Sequence, residues 1–406
     1  MRLDSHRIEF PGSQGILAAR LDTPRGGARA YALFAHCFTC SKDIFAASRI
    51  AARLADNGIA TLRFDFTGLG ASEGEFANTN FSSNVDDLVA AADWLATRHG
   101  PAQLMVGHSL GGAAVLAAAE RVPGCRAVAT IGAPYDPAHV THQFHESMHL
   151  IEADGEAQVT LAGRQFRIRR QFIDDVFGQP QAQRIASLKR ALLVLHAPLD
   201  DTVSVDNASA IFGTAKHPKS FVSLDTADHL LRGKADAMYA ADVIAAWALR
   251  YLNLSPETAP PQTEPGETIV QESGLGRYAQ AIRSDGHLLT ADEPESVGGD
   301  DLGPDPYDLL LSSLGACTSM TMRMYAQRKG LRLEQASVRL RHRKIHASDC
   351  TDCETKEGLV DEMTREITLV GDLSADERAK LLEIADKCPV HRTLHSEVRV
   401  TTRLID

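Results

Sequence analysis

The sequence lacks any apolar run approaching the length of a membrane span, so a chain that crosses a bilayer as a helix is not expected. Its first residues, Met1 to His6, lack the apolar core of a secretory signal. Positive charge is in deficit: 42 Lys and Arg against 53 Asp and Glu leave a net −11. That balance argues against a nucleic-acid partner and against an anionic membrane surface. Cysteine is sparse and odd in number, seven in 406 residues, which does not suit the disulfide framework of a small secreted domain. The expectation is a cytoplasmic protein whose cysteines are free, reactive or metal-binding. Biased segments are almost missing too. The exception is 254–267, rich in Pro, Thr and Glu, which suits an extended, solvated linker.

What is present is a soluble globular composition, 44% hydrophobic and 23% charged, over a length that calls for two domains. The most informative stretch is Met105-Val106-Gly107-His108-Ser109-Leu110-Gly111-Gly112. An apolar run, Gln103 to Val106, reads as a buried strand, and an Ala-rich run, Ala113 to Glu120, reads as a helix. Between them Gly-His-Ser-Leu-Gly fits the nucleophile-elbow pattern G-x-S-x-G. A serine hydroxyl needs a base to become a useful nucleophile. A tight strand-to-helix bend exposes its oxygen, crowds its neighbours so that glycine is required, and aims free N–H groups and the positive helix end at it.

Around this stretch, apolar strands alternate with helical patterns: strands over 28–35, 59–65 and 127–132, helices over 45–57 and 85–98. Such βαβ units imply a largely parallel sheet with sites at the carboxyl ends of strands. The rhythm breaks between Pro134 and Leu188, where a hairpin, 158–172, and helical flanks carrying His139, His142, His145 and His149 suggest an inserted lid. Strands over 191–196 and 220–224 and a helix over 237–252 close the domain. An acid follows the first of these strands, at Asp200 or Asp201, and His229 comes near the domain's end. The chain order Ser109, acid, His229 is that of a hydrolytic triad. The oxyanion it generates needs two N–H donors: Leu110, and Cys37 or Phe38 in the turn after His36. Cys37 and Cys40 have the spacing of a redox motif. Lying in this turn and not at the start of a helix, they are expected to pack as thiols, and the lid histidines to form a wet face, not a metal site.

These residues together resemble the α/β-hydrolase superfamily, serine-esterase branch, over 1–253. His36-x-Phe38 resembles its oxyanion turn, with Cys37 in place of the usual glycine. Arg63-x-Asp65-x-x-Gly68-x-Gly70-x-Ser72-x-Gly74 resembles its Gly-rich loop, and Asp200-x-x-Val203 its acid loop, which favours Asp200. The resemblance implies a mostly parallel sheet with an inserted lid at about 134–188, and hydrolysis of small esters or thioesters without a cofactor.

After the linker the pattern changes. Strand-like runs over 268–272, 278–283 and 287–290 precede an apolar helix over 307–328. Strands over 338–345 and 365–370, a helix over 375–388 and a last strand over 397–404 complete a smaller α+β domain, 268–406. Cys317 lies in the first helix and Cys388 ends the second. A thiolate needs a nearby cation, for which Arg283, Arg323, Arg392 and His391 are available. Such a thiolate attacks a peroxide, and a second thiol then closes a disulfide. Gly303-Pro304-x-Pro306-Tyr307-Asp308-Leu309-Leu310-Leu311, Leu314-Gly315-Ala316-Cys317 and Cys388-Pro389-Val390 resemble the OsmC/Ohr family. The resemblance implies Cys317 as peroxidatic and Cys388 as resolving cysteine, Arg283 as the activating arginine, a homodimer, organic hydroperoxides as substrates and a thiol reductant. Where peroxidase members carry glutamate after Asn-Pro, this chain has Tyr307 after Asp305-Pro306. His342, His346, Cys350 and Cys353 carry four zinc-type donors, but acidic and basic neighbours make a solvated hairpin the stronger expectation, with no metal.

Overall fold

The central sheet is laid down by strands that are apolar along their whole length, because both faces are covered. The computed structural model describes residues 3–24, 27–161, 163–254, 260–350, 355 and 357–405. Contacts divide the chain into two units, Met1–Glu257 and Thr258–Asp406. The division falls within 254–267, of which 255–259 lie outside the described residues.

The first unit opens with an antiparallel pair, β1 (Leu3–Pro11) and β2 (Ile16–Pro24). It continues through β3 (Ala30–Ala35), α1 (Phe45–Ala55), β4 (Ile59–Phe64) and α2 (Phe81–Arg98). Asn80 and Ser83 cap α2 reciprocally. β5 (Ala102–His108), α3 (Leu110–Ala118) and β6 (Ala127–Ile131) follow. An insertion then leaves the sheet: a 3₁₀ segment, Pro137–Ser147, α4 (Met148–Asp154), the antiparallel hairpin β7 (Glu156–Leu161) and β8 (Arg164–Arg169), α5 (Arg170–Phe177) and α6 (Gln181–Ala186). The sheet resumes with β9 (Ala191–His196), α7 (Asp206–Thr214), β10 (Lys219–Ser223) and α8 (Lys234–Ala248).

The eight strands run in the order β1-β2-β4-β3-β5-β6-β9-β10, parallel from β4 to β10. Alternate residues of each strand feed two cores. Leu33, Met105, Val128 and Leu192 join a core with α2, α3 and the insertion. Phe34, Val106, Ala129 and Leu193 join another with α1 and α8. This is the expected α/β-hydrolase arrangement, and it brings the carboxyl ends of β3, β5, β6 and β9 together.

The second unit holds a three-stranded antiparallel sheet, β11 (Thr268–Glu272), β12 (Gln280–Ser284) and β13 (His287–Ala291). Helix α9 (Pro306–Lys329) starts with Asp305 as its side-chain cap and ends on Gly330, at φ 67°. It packs on the long hairpin β14 (Arg332–His346) and β15 (Leu359–Asp372), and α10 (Ala375–Ala385) and α11 (Pro389–Leu394) pack against it. The strand expected over 397–404 does not form. Val398 and Val400 keep a strand's alternation but are exposed, and the segment pairs with no strand among the described residues.

Candidate functional site

Ser109 sits between β5 and α3 at φ 54° and ψ −126°, a left-handed backbone that only tight packing sustains. Gly107 and Gly111 make that packing possible. A Cβ on Gly107 would stand 2.3 Å from the Gly111 carbonyl oxygen, and one on Gly111 would stand 2.4 Å from that of His36. The elbow therefore rests directly on the end of β3. The Ser109 N–H donates to the Ile131 carbonyl at 2.8 Å, which ties the bend to β6.

His229 Nε2 lies 3.0 Å from Ser109 Oγ, and His229 Nδ1 lies 2.7 Å from Asp200 Oδ2. The carboxylate accepts the Nδ1 proton, which leaves Nε2 free to accept from the serine hydroxyl. Asp200 Oδ1 accepts the N–H groups of Thr202 and Val203 at 2.9 and 2.8 Å. Burial alone would raise the Asp200 pKa, but the His229 hydrogen bond and these N–H groups outweigh it and hold the carboxyl below its ordinary value. Asp201 is exposed and, among the described residues, bonds only its neighbour Thr202. Of the two acids the sequence left open, Asp200 is the one that lies against His229. Gly132, at φ 55°, keeps space for this pair: a Cβ there would stand 3.2 Å from Asp200 Oδ2 and 3.3 Å from His229 Nδ1.

Three buried histidines frame the site. His108 Nε2–H donates to the His229 carbonyl at 2.6 Å, and His196 Nε2–H donates to the Val203 carbonyl at 2.7 Å. Each fixes one loop of the Ser109–His229–Asp200 chain. Burial, helped by the neighbouring His229, pushes the His108 pKa down to about 4. His36 Nε2 accepts from the Phe66 N–H at 3.3 Å, so its proton is on Nδ1, which donates to the Cys37 carbonyl at 2.8 Å. Sequence reasoning assigned no role to His108, His196 or Gly132. Only the composition of the elbow, a histidine directly before the serine, hinted at the first.

The turn after β3 departs from expectation. Cys37 and Cys40 are not packed thiols but form a disulfide, with Cα atoms 5.2 Å apart. The Cys37–Cys40 turn closes as Cys40 N–H donates to the Cys37 carbonyl at 3.1 Å, and Thr39 within it adopts φ 63°. The turn brings the two cysteines within bonding distance, so the spacing ends in a disulfide and not in two packed thiols. The Phe38 and Leu110 N–H groups have no hydrogen-bond partner among the described residues. Beside them Phe38, Phe66, Leu69, Phe76, Leu110 and Ala114 enclose a cavity of about 10 Å³, room for one water-sized sphere. His139 is half-buried, its ring 4.7 Å from that of His142, while His142, His145 and His149 are exposed.

In the second unit, Cys317 and Cys388 are both free. Cys388 is fully buried; its sulfur accepts the His391 N–H at 3.3 Å and lies 3.6 Å from Thr318 Oγ1, next in sequence to Cys317. Arg283 is not brought to them: its guanidinium donates to the Pro260 carbonyl at 2.9 Å. The arginine at this helix junction is Arg365, on β15, which donates to Thr318 Oγ1 at 2.9 Å and to the Ala385 carbonyl at 3.1 Å. Its position depends on a hairpin register that no local pattern announces. Arg323 is spent on the Leu333 and Glu334 carbonyls, and Arg392 is exposed. Tyr307 stacks on His342 at 4.1 Å. The four-donor zinc candidate is broken. Cys350 is disulfide-bonded, so it offers no thiolate, and His342 Nε2 is paired with Asp361 at 2.8 Å. Cys353 lies outside the described residues.

Residues 32–297 match the alpha/beta hydrolase family, and residues 298–403 match OsmC-like protein. The first match runs past the division that contacts draw at 257. The esterase domain of a Rhodothermus marinus protein is 45% identical, covering 62% of this chain and 99% of that one, with a TM-score of 0.51. Est1E from Butyrivibrio proteoclasticus, solved with ferulic acid bound, covers 60% of this chain and 98% of its own at a TM-score of 0.52; at 18% identity it bears on the fold alone. A mouse palmitoyl-protein thioesterase, ABHD10, described as mitochondrial, is 30% identical over 189 residues, 44% of this chain and 62% of that one. The chain thus spans less than two thirds of that relative's length.

Proposed function

Since the chain belongs to the alpha/beta hydrolase family and ends in an OsmC-like domain, we propose that its first unit hydrolyses carboxylic esters or thioesters through Ser109, His229 and Asp200. The hydrogen-bond chain of 3.0 and 2.7 Å carries this reading. Ser109 Oγ attacks the carbonyl as His229 Nε2 takes its proton, and Asp200 holds the ring and stabilises its positive charge. The N–H groups of Phe38 and Leu110 donate to the developing oxyanion. His229 then protonates the leaving alcohol or thiol, and water releases the acyl group by the same steps. The relatives named as an esterase domain and a palmitoyl-protein thioesterase support an acyl ester or thioester. The narrow apolar cavity beside the oxyanion turn favours a short acyl group.

The test is turnover of p-nitrophenyl acetate and of acetyl-CoA by wild type and Ser109→Ala. Loss of about 10⁴-fold or more in kcat is expected. Equal rates would dismiss the reading.

For the OsmC-like domain, the approach of Cys388 to the residue after Cys317 supports a thiol peroxidase site, with Arg365 the nearby cation. Cys317→Ser should abolish dithiothreitol-dependent loss of cumene hydroperoxide. Persistence of that loss would remove the site.

A further inference from the structure

We propose that the Cys37–Cys40 disulfide is a thiol–disulfide exchange site for dithiol reductants, and that its reduction turns down hydrolysis at Ser109. The inference rests on the oxyanion role given to Phe38. Three observations lead to it.

The first is position. The Cys37 carbonyl and the Phe38 N–H belong to one planar trans peptide and point in opposite directions. Whatever holds that carbonyl therefore aims that N–H. Two donors hold it, His36 Nδ1–H at 2.8 Å and Cys40 N–H at 3.1 Å. The disulfide keeps the second of these in place.

The second is conformation. Thr39, between the bonded cysteines, is β-branched and sits at φ 63°. A left-handed backbone is unfavourable for such a residue, so it persists only when over-determined by its surroundings. Here the disulfide, the turn and the Arg164 guanidinium on the Thr39 carbonyl impose it. With the sulfur link cut, Thr39 gains by moving to an ordinary backbone, and the turn loosens.

The third is access. Cys37 is buried, at 4% exposure, whereas Cys40 is half-exposed. An incoming thiolate reaches the Cys40 sulfur. It forms a mixed disulfide there and expels Cys37 as a thiolate, which takes up a proton. The second thiolate of the same reductant attacks its own sulfur in the mixed disulfide and releases Cys40, which is protonated in turn. Two electrons and two protons pass to the protein, and the dithiol becomes a disulfide.

The experiment uses the full chain, treated with dithiothreitol under native conditions and desalted anaerobically. Alkylation and mass analysis of the peptide carrying Cys37 and Cys40 report its state, and p-nitrophenyl acetate reports kcat and KM. Losing a whole oxyanion donor costs about 10²–10³ in kcat, so a loosened one is expected to cost about tenfold, with KM little changed. Oxidised glutathione should restore the rate. Cys40→Ser should be slow from the start and indifferent to reductant. Cys350→Ser, which removes another disulfide-bonded cysteine, should keep the tenfold response. A peptide that resists reduction in the native protein, or one that is reduced with kcat unchanged or raised, would overturn the inference and leave the hydrolase reading standing. Turnover by the oxidised protein that Ser109→Ala does not diminish would overturn both.

Discussion

At Gly111 one methyl group decides where the turn proposed to hold the oxyanion can sit. A Cβ there would meet the His36 and Ala35 carbonyl oxygens at 2.4 and 2.5 Å, and backbone atoms cannot swing aside as a side-chain tip can. Gly111→Ala should push the turn outward and lower kcat on p-nitrophenyl acetate by about 10²–10³, the worth of one oxyanion donor. Steady-state kinetics with circular dichroism would separate this from unfolding. His108 sets a different expectation. Unfolded, it takes a proton near pH 6.5; folded, it stays neutral down to about 4. Between those values the unfolded chain binds more protons, so acidification favours unfolding. The contribution is about 3 kcal/mol across the window, lost as pH falls through it. Chemical denaturation of wild type and His108→Gln between pH 7 and 4 should show the variant with the shallower dependence. Parallel slopes would refute a buried neutral His108. Ser109, Asp200 and His229 were legible because each lies at a motif or in a fixed chain order. His108 was not, since its partner, the His229 carbonyl, lies 121 residues away.

The aromatic side chains that line and back the cavity beside Leu110 come from far apart in the chain. Phe76 lies on a single 3₁₀ turn, Phe76–Asn78, Phe166 on β8 and Phe172 on α5. Phe38 packs on Phe76 and Phe172 with ring centroids 5.7 and 5.6 Å apart, and Phe76 on Phe166 at 4.8 Å. The insertion thus buttresses, through Phe166 and Phe172, two of the side chains that line the cavity. Phe76→Ala should open it. The ratio of kcat/KM for p-nitrophenyl butyrate over acetate should rise about tenfold, in line with the value of a methylene or two in an apolar pocket. An unchanged ratio would mean that the acyl group binds elsewhere. Elements of this unit were readable because strands such as β4, β6 and β9 are buried along their full length and so carry unbroken apolar runs. The strand expected over 397–404 failed for the opposite reason: alternation supplies a face, whereas a strand also needs a neighbour to hydrogen-bond, and a sequence does not reveal whether one is there.

On the scale of the whole chain, every group proposed for ester hydrolysis, from His36 to His229, lies before residue 257, and the two cores that hold the sheet are complete within that unit. A fragment ending at 257 should therefore fold alone and keep kcat within about twofold of the full chain. The second unit differs. Among the described residues its one buried apolar cluster is Met322, Ala326, Leu333, Leu381 and Ala385, with Ile282 and Leu314 buried outside it, while Met320, Met324 and Leu382 on the same helices are more than half exposed. The exposed apolar side chains leave surface for a partner to cover. We propose that a second copy covers that face, as the OsmC-like resemblance implied. A fragment starting at 258 should then run as a dimer by light scattering at micromolar concentration, and its thermal midpoint should rise with concentration, because association stabilises by mass action. A monomer whose midpoint does not move between 1 and 50 μM would show that the exposed methionines are not an interface and that the small core suffices.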